Sequence, residues 1–448
     1  MSDLLDPNRI PALFAEPEFS HDAENRERYL KARGGKEPMR FLDVVPGSNS
    51  LRYYALFLGL TLTLSLSFAS CFGGTHERDG FIVQVGKTVE ITASYNYCWF
   101  PTVHRFSTGE ILTTMRLSPD DANPEGEFSG YCLSKDGGQT WSRRYTMGAG
   151  ANIDAAYSQV PLEDGIWVLG AGYLSLEPYP PGQGADFLVT LTKISRNGME
   201  INQIRDARVR VSEPVQFVPV EVYGTKAKDA SLLDAVPAAQ PFGTILEGPG
   251  GAWLSTMYYT TERDQRYYRL VLIRSVDHGH SWEEYGVIAA VRPNQKPWSW
   301  MGKEGPTEAG LVRLSDRRLF CIFRTGDGEY MGEAWSSDGG KTWTPPASSG
   351  FKGVAPHLRL MSSGVLVCTY GRPGPVTVMF STDGGVKWEG ITPIFKEMST
   401  RYSDVIEVEA GKLLVVYDAI PDGWNPLPCS AKQTKHVIYG TFVDVRRR

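Results

Sequence analysis

The sequence predicts an all-β fold, a six-bladed β-propeller with four antiparallel strands in each blade. Three observations point to it. An octapeptide ending in tryptophan recurs four times, six strand–turn–strand units are spread along the chain, and helical apolar periodicity is missing beyond the N-terminal region. The composition agrees: 47 Gly, 29 Pro, 11 Trp and 21 Tyr in 448 residues suit many tight turns and many aromatic-lined strands. A chain this long forms one domain most readily as a repeat or barrel architecture.

The octapeptide has the form Ser-x-Asp-x-Gly-x-Thr-Trp. It stands at Ser134–Trp141, at Ser275–Trp282 with Ser281 for Thr, at Ser336–Trp343, and at Ser381–Trp388 with Lys387 for Thr. A decayed fifth copy begins Ser195-Arg196-Asn197-Gly198. Asp and Gly together make a hairpin corner: the carboxylate bonds local backbone, and glycine takes the φ > 0 position at no steric cost. The tryptophan then plugs the sheet. The aspartates are therefore read as structural.

The strand–turn–strand units lie at 101–115, 158–172, 243–257, 310–323, 357–370 and 405–417. The apolar alternation of 81–92 gives a further strand, expected to complete the last blade and close the ring. Residues 203–240 are the longest irregular insert, and such inserts usually lie on a functional rim.

Residues 1–52 form a polar extension. An uncharged apolar run follows from Tyr53 to Ser70, between a signal core and a spanning helix in length. Small residues then lead to Cys71 and a glycine-containing tether over 72–80, so 53–71 resembles a bacterial lipoprotein signal. The long stretch ahead of it leaves two alternatives, a start near Met39 or a signal anchor with a cytoplasmic tail. Arg33, Lys36, Arg40 and Arg52 all precede the run, which places the remainder outside the membrane of a bacterium-like cell. The propeller is expected over 81–448.

A net charge of -5 and a pI near 5.9 give no basic face for nucleic acid. The six cysteines form no CxxC pair and signal no zinc site. Cys98, Cys132, Cys321 and Cys368 lie in strands and read as buried thiols, with a Cys98–Cys132 disulfide as the alternative. No metal cluster, phosphate loop or serine elbow stands out, and no cofactor is implied.

The octapeptides are similar to the Asp boxes (BNR repeats) of the sialidase superfamily, and over about residues 95–445 the chain resembles the catalytic sialidases. Those are retaining glycosidases with a tyrosine nucleophile, which the substrate's own carboxylate does not repel. The resemblance makes Tyr402, in Arg401-Tyr402-Ser403-Asp404, the nucleophile and Glu308 its proton acceptor. It makes Arg324 and Arg372 carboxylate-binding residues, since a guanidinium holds a carboxylate with two parallel bonds. The general acid is expected on the loop after Arg116, at Asp121 or Asp120, and Arg116 itself is a binding candidate. One departure concerns the substrate: Trp99 occupies the place of the family's first carboxylate-binding arginine, where its ring is suited to stack on a sugar. Arg105, which aligns with a surface position in that family, is the candidate for a replacement cation. His104 and His357 stand at comparable places in blades one and five, either as bonded strand histidines or as substrate contacts. The implied activity is release of terminal sialic acid or a related acidic sugar from a glycan. The alternatives are a non-catalytic carbohydrate-binding propeller and a propeller polysaccharide lyase.

Overall fold

The computed structural model describes residues 75–448 apart from 79, 96, 119–128, 147–157, 162–164, 175–183, 196–200, 214–216, 220–234, 238, 262–263, 293–294 and 425–433. They belong to one compact unit, Ser70–Ser175 with Tyr179–Arg448. The expected polar extension and the signal or anchor segment, including Cys71, lie outside the described residues. Among the described residues no helix is long and apolar enough to cross a membrane.

The strands pair as antiparallel units of four. The first is β3 (Trp99–Arg105), β4 (Ile111–Arg116), β5 (Ser129–Ser134) and β6 (Tyr145–Thr146); the second is β7 (Ser158–Pro161), β8 (Gly165–Leu174), β9 (Ala185–Ser195) and β10 (Ile201–Val211). A hairpin of β11 (Phe217–Pro219) and β12 (Ala235–Pro237) precedes the third, β13 (Ala239–Glu247), β14 (Trp253–Thr261), β15 (Asp264–Ser275) and β16 (Ser281–Ala289). The fourth is β17 (Ala309–Arg313), β18 (Leu319–Phe323), β19 (Tyr330–Ser336) and β20 (Ala347–Lys352). The fifth is β21 (Val354–Leu360), β22 (Leu366–Gly371), β23 (Val376–Ser381) and β24 (Glu389–Phe395). The last combines β25 (Ser403–Glu409), β26 (Lys412–Ala419) and β27 (His436–Arg447) with β2 (Phe81–Ser94) from the other end of the chain, and β1 (Thr75–Arg78) borders β2.

All six strand–turn–strand units form the first hairpins of these blades, and 81–92 completes the last blade as expected. Two details differ from the reading. Part of the tether pairs as β1, because β2 would otherwise present an unpaired edge. Part of the 203–240 insert is the regular outer strand β10.

Hydrogen bonding divides the propeller into five sheets rather than six. Blades two and three share one eight-stranded sheet, because their outer strands pair in parallel, Arg208–Arg210 against Ser281–Glu283. Other blades meet through apolar layers. Val103, Ile111 and Cys132 pack on Ile406, Leu414 and Phe442 between blades one and six. Val367 and Val378 pack on Val405, Leu413 and Val443 between five and six.

Each Asp box turns the corner from third to fourth strand. In the first, Ser134 Oγ donates to Asp136 Oδ1 at 2.8 Å, Thr140 N donates to the same oxygen at 2.9 Å, and Trp141 Nε1 donates to Gly138 O at 3.0 Å. These bonds hold the Asp136 carboxyl down at about 2. The box glycines also lock neighbouring blades. A Cβ on Gly138 would lie 2.8 Å from Leu414 of blade six, and one on Gly340 would lie 2.1 Å from Leu272 of blade three. In the fourth box Trp388 is buried and its Nε1 has no hydrogen-bond partner among the described residues. Cys98, Cys132, Cys321 and Cys368 are buried free thiols, so the disulfide alternative is not formed.

Candidate active site

The candidate residues occupy one rim because of where they stand in the hairpins. Glu308 precedes β17 and Tyr402 precedes β25, at the entry to first strands; Arg324 and Arg372 follow β18 and β22, at the exit of second strands. In an antiparallel hairpin these two positions lie side by side.

Tyr402 donates its hydroxyl to Glu308 Oε1. Arg324 Nη1 reaches the same carboxylate oxygen at 2.9 Å and the Tyr402 oxygen at 3.2 Å. The second oxygen of Glu308 accepts from Ala355 N at 3.2 Å. Arg372 lies over the Tyr402 ring, its guanidinium carbon 5.5 Å from the ring centre. Tyr402, Glu308, Arg324 and Arg372 are thus brought together.

The electrostatics follow from burial and pairing. Tyr402 is 7% exposed, and burial with the Glu308 charge holds its phenol well above the ordinary value, against the pull of Arg324 and Arg372. Burial alone weakens the hold of Arg324 on its proton, but Glu308, Tyr402 and Glu304 outweigh it and push that guanidinium well up.

Other residues around the phenol were not foreseen. Glu304 accepts from Arg324 Nη2 at 2.9 Å, and burial raises its carboxyl despite that arginine. Arg372 Nη1 donates to Asp327 at 2.9 Å. Phe100 stands edge-on to Tyr402, ring centres 5.0 Å apart. Trp424 is 42% exposed and carries the Arg372 guanidinium 4.7 Å from its ring centre. A lone Trp in a loop carries no sequence signal of this kind. Glu304, four residues before Glu308, offered at least a nearby carboxylate.

Backbone strain gathers here too. Six non-glycine residues among those described have positive φ, and four of them, Phe100, Ala355, Arg372 and Arg401, surround Tyr402 or its partners. Such outliers persist where surrounding structure over-determines them, and they cluster at functional sites.

The remaining candidates are placed differently. Trp99 does not offer its face to the rim. It is fully buried, packed between Tyr97, Phe100 and Trp424, and its Nε1 donates to Ser118 O at 2.9 Å. Arg116 pairs across from Trp99 and its Nε donates to Ser118 Oγ at 3.1 Å. Arg105 is turned to the carbonyls of Glu407 and Val408, away from the phenol. His104 and His357 are buried strand histidines beside Asp404, with His357 Nδ1 3.5 Å from its carboxylate. Burial lowers them to about 3 and about 4, so both are neutral at pH 7 and Arg359 carries the charge that balances Asp404. Asp120 and Asp121 lie outside the described residues. Among the described residues no group of acidic, His or Cys side chains has the arrangement of a metal site.

Residues 237–415 match the family described as BNR repeat-like domain. No curated protein matches the chain. Among solved structures, a protein of unknown function from Dyadobacter fermentans is similar with a TM-score of 0.58 at 19% identity, over 81% of this chain and 99% of that one. The α-L-arabinanase of Penicillium chrysogenum, solved with arabinobiose, gives 0.54 at 14% identity, over 80% and 98%. The NanB sialidase of Streptococcus pneumoniae gives 0.50 at 12% identity, over 80% and 70%. At these identities the likeness is one of fold: this chain is an Asp-box β-propeller.

Proposed function

We propose that this Asp-box propeller is a glycoside hydrolase that releases a terminal sugar from a glycan with retention, through Tyr402. The observation that carries the reading is the contact of Tyr402 with Glu308 and Arg324, three side chains from two blades meeting in a largely buried group. The Tyr402 oxygen bonds to the anomeric carbon while its proton passes to Glu308. The bond to the leaving oxygen breaks, and that oxygen takes a proton from an acid, for which Asp121 or Asp120 is the candidate. Water then cleaves the glycosyl–tyrosine bond, with the proton path reversed. Arg324 and Arg372 favour an acidic sugar such as sialic acid, the chemistry of the NanB relative.

A second reading rests on one observation. Both terminal nitrogens of Arg324 already hold carboxylates, Glu304 and Glu308, and Arg372 holds Asp327. Arg324 and Arg372 thus face three acidic groups, a balance suited to a neutral sugar handled by the Glu304 and Glu308 carboxyls, and the arabinanase relative acts on such a sugar. Fluorogenic sialoside and arabinofuranoside, assayed with Tyr402→Phe and Glu304→Gln, separate the two. Sialoside release abolished by Tyr402→Phe supports the first. Arabinofuranoside release that survives Tyr402→Phe and fails in Glu304→Gln supports the second. A folded protein that releases neither sugar overturns both.

The reading includes the expected place of action, outside the membrane and attached through the segment ending at Cys71. Metabolic labelling with a palmitate analogue, lost in Cys71→Ala, tests lipid attachment.

A further inference from the structure

Asp418 lies near the end of β26, fully buried. Its carboxylate takes four donors. Ser399 Oγ and Thr400 N donate to Oδ1 at 2.8 and 2.7 Å, while Phe100 N at 3.0 Å and Thr400 Oγ1 donate to Oδ2. These partners come from two blades and flank one side chain. Ser399 and Thr400 lead into Tyr402, and Thr400 Oγ1 in turn accepts from Tyr402 N at 3.3 Å. Phe100 holds the Tyr402 ring from the side, at 81° to its plane.

Both anchored segments are strained. Phe100 has φ 51° and Arg401 has φ 70°, values that favour glycine. An L-residue stays in that region only where other contacts hold it there. Here one carboxylate bonds Phe100 itself and both residues preceding Arg401. Each donor is an N–H or O–H, so two acceptor oxygens satisfy all four at once, and these bonds work against the burial that raises the Asp418 carboxyl.

We propose that Asp418 is the positioning residue of the site: it sets the Tyr402 phenol against Glu308 and Arg324 by fixing both the backbone that enters Tyr402 and the ring that braces it. The proposal rests on the reading of Tyr402 as the reacting group, but its test needs no turnover. Asn in place of Asp418 keeps the shape and turns one acceptor oxygen into an NH2 group, which then faces the N–H of Phe100 or of Thr400. The phenol loses its fixed place between burial and Glu308.

The experiment is a spectroscopic titration of Tyr402, read as the difference between each protein and the same protein carrying Tyr402→Phe. In the parent the phenol ionises well above the ordinary value. In Asp418→Asn its midpoint is expected to fall toward about 10, the value of a solvated phenol. Where a glycoside is turned over, kcat falls by about tenfold or more with KM within twofold. Thr400→Val, which removes one of the four bonds, shifts the midpoint in the same direction by less, and stands in if Asp418→Asn does not fold. A folded Asp418→Asn or Thr400→Val with an unmoved Tyr402 midpoint overturns the proposal. Hydrolysis that survives Tyr402→Phe defeats the nucleophile assignment while leaving the titration result to decide on Asp418.

Discussion

Tyr402 donates its hydroxyl to Glu308 across 94 positions of sequence, and the two meet because each stands just before the first strand of its blade. Glu308 is thereby in place to take the phenol proton. Tyr402→Phe removes one oxygen from a packed site, so its melting temperature stays within a few degrees of the parent while hydrolysis is lost. Glu308→Gln keeps the packing and removes the acceptor, and kcat falls by about 10²–10⁴. Calorimetry beside steady-state kinetics checks both.

Trp424 is the exposed indole of the aromatic group around Arg372. Trp424→Ala removes a ring on which a sugar can rest and frees the guanidinium it faces. KM is expected to rise by about fivefold, equivalent to roughly 1 kcal/mol of stacking and cation–π attraction, with little change in melting temperature.

Glu333, on β19, is a carboxyl that burial lifts from 4.5 to about 8. A raised carboxyl means that folding favours the protonated form. The stability it allows is complete below about pH 4.5 and is lost as pH rises through 8. Glu333→Gln keeps a neutral side chain at every pH. Its melting temperature should exceed the parent's by a few degrees at pH 9 and match it near pH 4.5.

His104 and His357 give the opposite limb. Both are lowered from 6.5, to about 3 and about 4, so the folded state prefers them neutral. The stability they support is full above pH 6.5 and drains as pH falls toward 4, by up to about 1.4 kcal/mol per pH unit for each. His357→Gln takes up no proton there. Melting curves from pH 7 to pH 4 should show a shallower acid loss than the parent.

Gly340 has φ 101° and sits against Leu272 of the preceding blade. Gly340→Ala meets both a backbone penalty and a clash, and is expected to destabilise by about 2–4 kcal/mol. Denaturant unfolding checks it.

The fold was legible because its signal is local and repeated. Each Asp box is a hairpin corner whose bonds lie within eight residues, so the sequence alone shows where third strands end. The parallel seam between β10 and β16 was not legible, since an edge pairing depends on how two finished blades lie. In the site, Tyr402, Glu308, Arg324 and Arg372 could be named from the resemblance to sialidases, and their places at strand entries and exits put them on one rim. Trp99 could not be placed, because an indole that stacks on a sugar and one that plugs a core look alike in sequence. Glu304, Trp424 and Asp418 act through contacts made only after distant segments meet.

The blade that carries Tyr402 is finished by a strand from the opposite end of the chain, Phe81 against Arg447 through Ser94 against His436. During synthesis β2 leaves the ribosome well ahead of its partner β27. At about 5–20 residues per second, β2 waits roughly 20 to 70 seconds with an unpaired edge. An exposed strand edge is a template for pairing with other chains. The hazard for this protein therefore falls during synthesis, and the blade that carries Tyr402 is the last of the six to be completed.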